Sequence, residues 1–252
     1  MNRRPSLGTS SGPLSRAAQA LPWASAIMLK LENDMACAIR FDATVMISGE
    51  RGAGKKFVAR LIHQRSRRGP APFVVANCQD VAESLSQFEP GSGWAQPFRH
   101  GLLKTVNNGT LLIDEIQQIP APMQQQLLQF IESETTNGGD LRLMTATSTD
   151  VFERVQSNQF RTDLFYRLNV LHLNIPALRD RPEDIPILFH RYLAPSAGAD
   201  VPRLSAAAMQ RLVAYSWPGN VQELKAVAET LAAQNLPRLV EADDLPSHIG
   251  RR

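Results

Sequence analysis

The sequence predicts an α/β domain, a parallel sheet sandwiched by helices, followed by a small all-helical unit. Three observations carry this reading. Short apolar, β-rich runs alternate with stretches of helical spacing as far as residue 180, a glycine-rich loop joins the first run to the helix behind it, and the strand pattern stops after Pro176.

The first strand is read at 44–48 (Thr-Val-Met-Ile-Ser), closed by Gly49. Phe57, Val58, Leu61 and Ile62 then recur at helical spacing, so the order is strand, loop, helix. Further strands are read at 73–76, 110–113, 141–147 and 170–175. Between them a helical pattern of Met123, Leu127, Phe130 and Ile131 follows Pro120 and Pro122. Helices between strands serve as the crossovers of a parallel sheet and cover both its faces. Beyond Pro176, residues 184–193, 205–215 and 220–234 read as helices, with Ser205 as an N-cap and Pro218-Gly219 as the turn between the last two. No strand of any length is expected there.

Composition sets the outer limits. With 43% hydrophobic and 20% charged residues the chain is neither disordered, collagen-like nor coiled-coil. The net charge of +3 points toward nucleic acid, but Arg3, Arg4, Arg16, Arg251 and Arg252 supply the excess, and the body between them is slightly acidic. One stretch is locally basic: Arg51, Lys55, Lys56, Arg60, Arg65, Arg67 and Arg68 precede any acid until Asp80, which calls for an anionic partner or a solvated face. The 2 cysteines, Cys37 and Cys78, lack metal spacing, and a reducing cytoplasm fits them. Apolar runs fall short of the ~20 residues a membrane span needs. The apolar patch at 20–29 is broken by Pro22 and followed by Lys30 and Glu32, which favours a disordered leader over 1–22 rather than a signal peptide.

The loop Gly49-Glu50-Arg51-Gly52-Ala53-Gly54-Lys55-Lys56 fits the first seven positions of G-x-x-x-x-G-K-[ST]. In such a loop backbone N–H groups turn toward phosphate oxygens, the helix N-terminus adds its positive end, and the lysine reaches the β- and γ-phosphates. ATP is the expected ligand. A glycine turn that happens to carry a lysine is the alternative, and the strand before and helix after argue against it. The eighth position is Lys56 where Ser or Thr would offer Mg²⁺ a hydroxyl, so the metal must lean on another group. Residues 109–115 end an apolar strand in Asp114-Glu115. Asp114 is the candidate Mg²⁺ residue and Glu115 the candidate general base for an attacking water. Alone, the pair could be a helix-capping turn; beside a phosphate loop, at a strand's C-terminal end, it reads as a site.

Several stretches, in order and spacing, resemble the AAA+ domain of bacterial enhancer-binding proteins, the sigma-54-dependent transcriptional activators. They are the loop at 49–56, Asn77-Cys78, residues 109–115, Phe160-Arg161-Thr162-Asp163-Leu164-Phe165-Tyr166-Arg167-Leu168-Asn169-Val170, Pro176-Ala177-Leu178-Arg179-Asp180-Arg181 and Trp217-Pro218-Gly219-Asn220-Val221-Gln222-Glu223-Leu224. The resemblance covers 42–249 and implies a P-loop AAA+ nucleotide-binding domain over 23–180 with a helical lid over 181–252. It further implies that Asn77 is a switch asparagine holding the catalytic Glu away from water, that Arg161 and Arg167 are presented to the neighbouring subunit's nucleotide, and that subunits form a ring, commonly a hexamer. In this family the eighth loop position is usually Glu, so Lys56 is a milder departure than the general motif alone suggests.

Other departures bear on function. At 88–98 the chain reads Phe-Glu-Pro-Gly-Ser-Gly-Trp-Ala-Gln-Pro-Phe, without the family's Gly-Ala-Phe-Thr-Gly-Ala loop, which argues against direct engagement of sigma-54 RNA polymerase. Ser148 stands where the family senses the γ-phosphate with Asn, and Gln222 where the lid supplies Arg. A neutral glutamine does not neutralise phosphate charge, so binding is expected to be retained and turnover impaired. With Arg252 lying just past the lid, a helix-turn-helix is not expected in this stretch. The favoured reading is therefore an ATP-binding AAA+ regulator of transcription with weak hydrolysis at subunit interfaces. The other is a non-catalytic partner that uses ATP to assemble with, or inhibit, related AAA+ subunits. A small-molecule kinase fits poorly with a helical lid. DNA would be reached only through a partner or through Arg65, Arg67 and Arg68.

The remaining conspicuous residues receive structural readings. Trp23, Trp94 and Trp217 are expected to pack, His63 and His100 to bind no metal, Cys78 to be buried and Asp243-Asp244 to cap a helix.

Overall fold

The computed structural model describes residues 23–85, 105–106, 108–136, 140–197, 202–234 and 239–249. The expected leader, the loop at 88–98 with Trp94, His100 and the last two arginines lie outside the described residues.

Five parallel strands form one sheet: β1 (Val45–Ser48), β2 (Phe73–Asn77), β3 (Thr110–Asp114), β4 (Arg142–Thr147) and β5 (Leu171–Asn174), in the order β2-β3-β4-β1-β5. Every strand lies within a residue or two of its sequence position. Alternation along each strand splits the core in two. Met46, Leu111 and Ile113 face one side, with Leu127, Phe130, Leu164 and Leu168. Val45, Ile47, Leu112 and Met144 face the other, with Met28, Met35, Val58 and Ile62. Both faces are covered, so the central strands read as unbroken apolar runs.

The first face is covered by α3 (Cys78–Leu85), α4 (Ala121–Thr136), α5 (Val151–Gln156) and α6 (Thr162–Leu168), the second by α1 (Ala26–Arg40) and α2 (Lys55–Arg65). Helix α1 was not anticipated. Its signal is present all the same, because Met28, Leu31, Met35 and Ala38 are its buried stripe at helical spacing.

Arg142 is the charged residue in the fully buried strand β4; it donates to the carbonyls of Ala38 and Phe41, pinning the C-terminal end of α1 to the sheet. His63 is a satisfied core histidine, with Nε2 3.1 Å from the Ala71 carbonyl and Nδ1 2.9 Å from the Thr110 hydroxyl. A carbonyl only accepts, so Nε2 carries the proton and Thr110 donates to Nδ1. Burial, first of all, pushes its pKa below the usual imidazole value.

The second unit packs α7 (Asp184–Ala197), α8 (Ala206–Ala214) and α9 (Asn220–Ala233) around Trp217, Phe189, Leu212 and Leu224. Ser205 caps α8 as expected, its hydroxyl accepting from the Ala208 N–H at 3.2 Å. The unit is not purely helical. Two-residue strands, β6 (Arg203–Leu204) and β7 (Leu239–Val240), pair in parallel and close it, a contact too short to leave a periodic signal. The expected Asp243-Asp244 cap is a 3₁₀ turn in which Glu241 occupies the cap and Asp244 reaches back to it.

The basic patch at 65–68 is largely neutralised within the chain. Arg68 donates to Asp42 at 2.9 Å, to the Asp140 carbonyl at 2.8 Å and to the Asp140 carboxylate, and Arg65 meets Glu32 at 3.2 Å. These pairs tie α2 to α1 and to the entry of β4, a structural use that sequence position alone did not reveal.

Candidate functional site

The glycine-rich loop runs from the end of β1 into α2. Gly49 and Gly52 have φ of +150° and +77°, and a Cβ on Gly52 would lie 2.2 Å from the Gly219 carbonyl oxygen, so only glycine lets the loop meet the lid. Gly54, also left-handed, starts α2. Lys55 is buried; its ammonium donates to the carbonyls of Gly49 (2.8 Å) and Glu50 (3.1 Å) and lies 3.7 Å from Glu115 Oε1. Burial lowers its pKa, against the opposing pull of Glu115 and Asp114. Ala53 is a buried residue of the loop, and Arg51 lines the cleft beside it.

β3 delivers Asp114 and Glu115 to the same place. The chain turns sharply at Glu115, whose φ of 52° and ψ of 51° are left-handed, a costly conformation for this residue type. Its Oε2 accepts from Gln117 Nε2 and Ser148 Oγ, each at 2.5 Å, and Gln117 Nε2 also reaches Ser148 Oγ at 3.2 Å. Burial raises the Glu115 pKa, but these hydrogen bonds and the Lys55 charge outweigh it and hold the carboxyl below its ordinary value. Such a carboxylate is ionised but a weakened base. Asp114 Oδ2 pairs at 2.7 Å with the ammonium of Lys56.

Asn77 ends β2 in register with Asp114. Its side chain accepts from the Asp80 N–H at 2.9 Å, capping α3, while Asp80 Oδ2 accepts from the Asn77 N–H at 3.3 Å. The hold on Glu115 in this structure thus belongs to Ser148 and Gln117; Gln117 was not among the expected residues, and its nearness to Glu115 in sequence is the only signal it left. Cys78 is buried with Sγ 3.2 Å from the Glu115 carbonyl, and burial pushes its pKa up to about 11, so it is an inert thiol. Arg161 and Arg167 sit on or beside α6; Arg161 is exposed and forks onto Asp163 at 2.7 and 3.0 Å.

The lid closes directly on the loop. Asn220, buried with φ 53°, donates through Nδ2 to the Arg51 carbonyl and to Glu50 Oε2, both at 3.0 Å, and accepts from the Leu178 N–H at 2.7 Å. Arg179 grips Glu50 with two hydrogen bonds of 2.6 and 3.0 Å, Arg181 donates to the Ala53 carbonyl at 2.8 Å, and the Gln222 N–H donates to the Gly52 carbonyl at 3.3 Å. Asn220, Arg179 and Arg181 are loop-holding residues that the motif reading passed over, although each lies in a stretch it singled out.

The Arg179 hydrogen bonds, then those of Asn220, lower the Glu50 pKa from 4.5 to about 2. A depressed carboxylate pKa adds stability that is present above the unfolded value and is lost as pH falls through the folded one. The melting temperature of the native chain should therefore exceed that of Glu50→Gln at neutral pH, and the gap should shrink as pH drops from 4.5 toward 2. A gap independent of pH, in melts followed by circular dichroism, would contradict this.

Two hollows flank the loop. One of about 410 Å³ is lined by Gly52, Gly54, Lys55, Lys56, Asp114, Glu115 and the lid residues Tyr192, Val221 and Gln222. A larger one of about 600 Å³ lies across the ends of β1, β4 and β5 and includes Ser48, Ser148, His172 and Asn174. The smaller holds the lysine–carboxylate chemistry, so it is the candidate phosphate site. A divalent cation fits it poorly: Asp114 is already bonded to an ammonium, and the eighth loop position adds a positive charge rather than an oxygen ligand. Among the described residues no three His, Cys, Asp or Glu side chains gather as metal ligands.

Sheet, loop and lid together define a P-loop AAA+ unit. Residues 23–174 match the model of the sigma-54 interaction domain and residues 179–252 that of the AAA+ ATPase lid domain, and the chain belongs to the sigma-54 interaction domain family. It is 39% identical over 242 residues to the regulatory protein AtoC of Escherichia coli (strain K12), covering 89% of this chain and 52% of AtoC. It is 39% identical over 219 residues to the response regulator protein PilR of Pseudomonas aeruginosa, covering 80% and 49%. The chain thus spans about half the length of the curated relatives it matches. Among solved structures, NtrX from Brucella abortus in complex with ATP superposes with a TM-score of 0.79 at 30% identity, over 92% of this chain and 55% of NtrX. No described helix is long and apolar enough to cross a membrane.

Proposed function

We propose that this chain is an ATP-binding AAA+ regulator of transcription that hydrolyses ATP weakly, at interfaces between subunits of a ring. The observation that carries the reading is the loop itself: Lys55 at its end, Glu115 3.7 Å away, and the lid hydrogen-bonded to Gly52 above it. The likeness to ATP-bound NtrX supports ATP as the ligand. In this reading the loop N–H groups and Lys55 bind the phosphates, Glu115 orients the attacking water, Ser148 faces the γ-phosphate and Gln222 covers the nucleotide. Weak turnover follows from the residues present: Glu115 is bonded by Ser148 and Gln117, its basicity is lowered, and the lid contributes a neutral Gln222.

Arg161, exposed at the start of α6, and Arg167 on the same helix are assigned to the nucleotide of the next subunit, where an arginine stabilises transition-state charge and makes hydrolysis depend on assembly. Asn77, one strand from Asp114, is assigned to the switch that reorients Glu115. Engagement of sigma-54 polymerase through the usual loop is not part of the proposal, since 88–98 lacks its motif. DNA contact is assigned to a partner, because Arg65 and Arg68 are committed within the fold.

One observation favours a second reading, a non-catalytic subunit that binds ATP to assemble with related AAA+ chains: the Lys56–Asp114 pair removes the acid that a hydrolytic centre needs. Phosphate release measured at rising protein concentration separates the two. Turnover that grows faster than linearly, and is lost in Arg161→Ala, is the expected result; ATP binding without turnover at any concentration transfers the assignment to the second reading.

A further inference from the structure

We propose that Lys56 takes the place of the divalent cation in the phosphate site, so that this chain binds ATP about equally well with and without Mg²⁺. The proposal rests on the nucleotide reading above and concerns how the triphosphate charge is met.

Two independent observations converge. In sequence, Lys56 puts a positive charge at the eighth loop position, which the general motif fills with a hydroxyl and the resembled family usually with an acid, and it does so in the first turn of α2, at the end whose backbone N–H groups attract anions. In space, Lys56 Nζ lies 2.7 Å from Asp114 Oδ2, the one strand-end carboxylate through which a cation would be held. Both residues line the 410 Å³ hollow together with Lys55 and the loop glycines.

The consequences are electrostatic. An ammonium at this distance occupies one carboxylate oxygen and places a positive charge where an incoming cation would sit, and with Lys55 close by the field there opposes a further cation. An ammonium has three N–H donors. One is directed at Asp114, and the others are available to phosphate oxygens entering the hollow. Asp114 then acts as a positioning residue, aiming Lys56 as it would otherwise hold a metal. Lys56 is 60% exposed while Asp114 is 19% exposed, so the carboxylate is fixed and the lysine stem is the moving part. Charge neutralisation normally recruited from solution is instead tethered to the chain, alongside Lys55 and Arg51.

The test is calorimetric titration of ATP into the native chain, in millimolar Mg²⁺ and in excess EDTA, repeated with Lys56→Thr and Lys56→Arg. The Kd of the native chain should differ by less than about threefold between the two conditions, whereas Lys56→Thr should bind about tenfold or more weakly in EDTA than in Mg²⁺. Lys56→Arg keeps the charge and should keep metal-free binding. Because the side chain is mostly exposed, both variants should retain the native circular dichroism spectrum and melting temperature. A native chain that loses tenfold or more in EDTA overturns the proposal but leaves the nucleotide reading intact, as does an equal Mg²⁺ dependence in Lys56→Thr. Failure of the native chain to bind ATP in either condition overturns both.

Discussion

Replacement of Trp217 by alanine is expected to destabilise the chain by about 3–5 kcal/mol, the usual range for removing a fully buried large aromatic. Trp217 has no exposed surface and packs among Leu178, Phe189, Leu212, Leu224 and Val227, with Tyr215 edge-on at 5.1 Å. Its indole N–H donates to the Leu212 carbonyl at 2.8 Å, so truncation also leaves a buried acceptor without its donor. The residue sits at φ 50°, an unfavourable value for a bulky side chain, held by the Asn220 N–H to Trp217 carbonyl turn of 2.8 Å. That turn delivers Asn220 and Gln222 to the loop. The loss should therefore appear twice, as a lower urea midpoint and as weakened ATP binding at temperatures where the variant is still folded. Trp217→Phe keeps most of the volume, loses the indole hydrogen bond, and should cost about 1–3 kcal/mol. A cost below about 1 kcal/mol for Trp217→Ala would mean that this core does not hold the lid.

Much of this architecture is legible in the sequence because it depends on local pattern. β1, the loop and α2 are contiguous, and apolar periodicity plus glycine spacing describe them without reference to the rest of the chain. β3 with Asp114-Glu115 is equally local. What escaped notice depends on pairs far apart in sequence. Arg68 reads as a free cation until the fold brings Asp42 and Asp140 to it. Glu115 reads as a base until Ser148, on the far end of β4, bonds it. Lys56 reads as a mere mismatch until β3 places Asp114 under it. Asn220 and Arg179 fall in the same class: their partner, Glu50, is set by how the second unit docks on the first, and no periodicity encodes that. Helix α1 is different: its apolar stripe of Met28, Leu31, Met35 and Ala38 is local, but Pro22 and the interspersed Lys30 and Glu32 mask it.

The second large effect concerns Asp184, which no motif marks. Asp184 begins α7, is completely buried, and accepts hydrogen bonds from the N–H groups of Ala24 (2.6 Å) and Ser25 (2.8 Å) and from the Ser25 hydroxyl (2.9 Å). Arg181, itself buried, lies 3.9 Å away and donates onward to the Ala53 carbonyl in the phosphate loop. One carboxylate thus joins the segment before α1, the second unit and the loop. Asp184→Ala strips three donors of their acceptor and leaves the Arg181 guanidinium buried without its counter-charge, and breaking such a pair from one side is expected to cost about 3–5 kcal/mol. Asp184→Asn keeps an acceptor for the two backbone N–H groups but also leaves Arg181 without its counter-charge, so about 2–4 kcal/mol is expected, less than for alanine. A substantial cost for Asp184→Asn, which keeps the shape of the side chain, is what distinguishes an electrostatic hub from a simple packing position, where only Asp184→Ala would be costly. Urea unfolding of both variants measures it. Hydrogen exchange adds a spatial check: protection at Ala24, Ser25 and the first turn of α1 should fall in Asp184→Ala well before protection in β1 and β4, because those strands keep their own ladder and core. Uniform loss of protection across the sheet would show that Asp184 supports the whole fold rather than this junction.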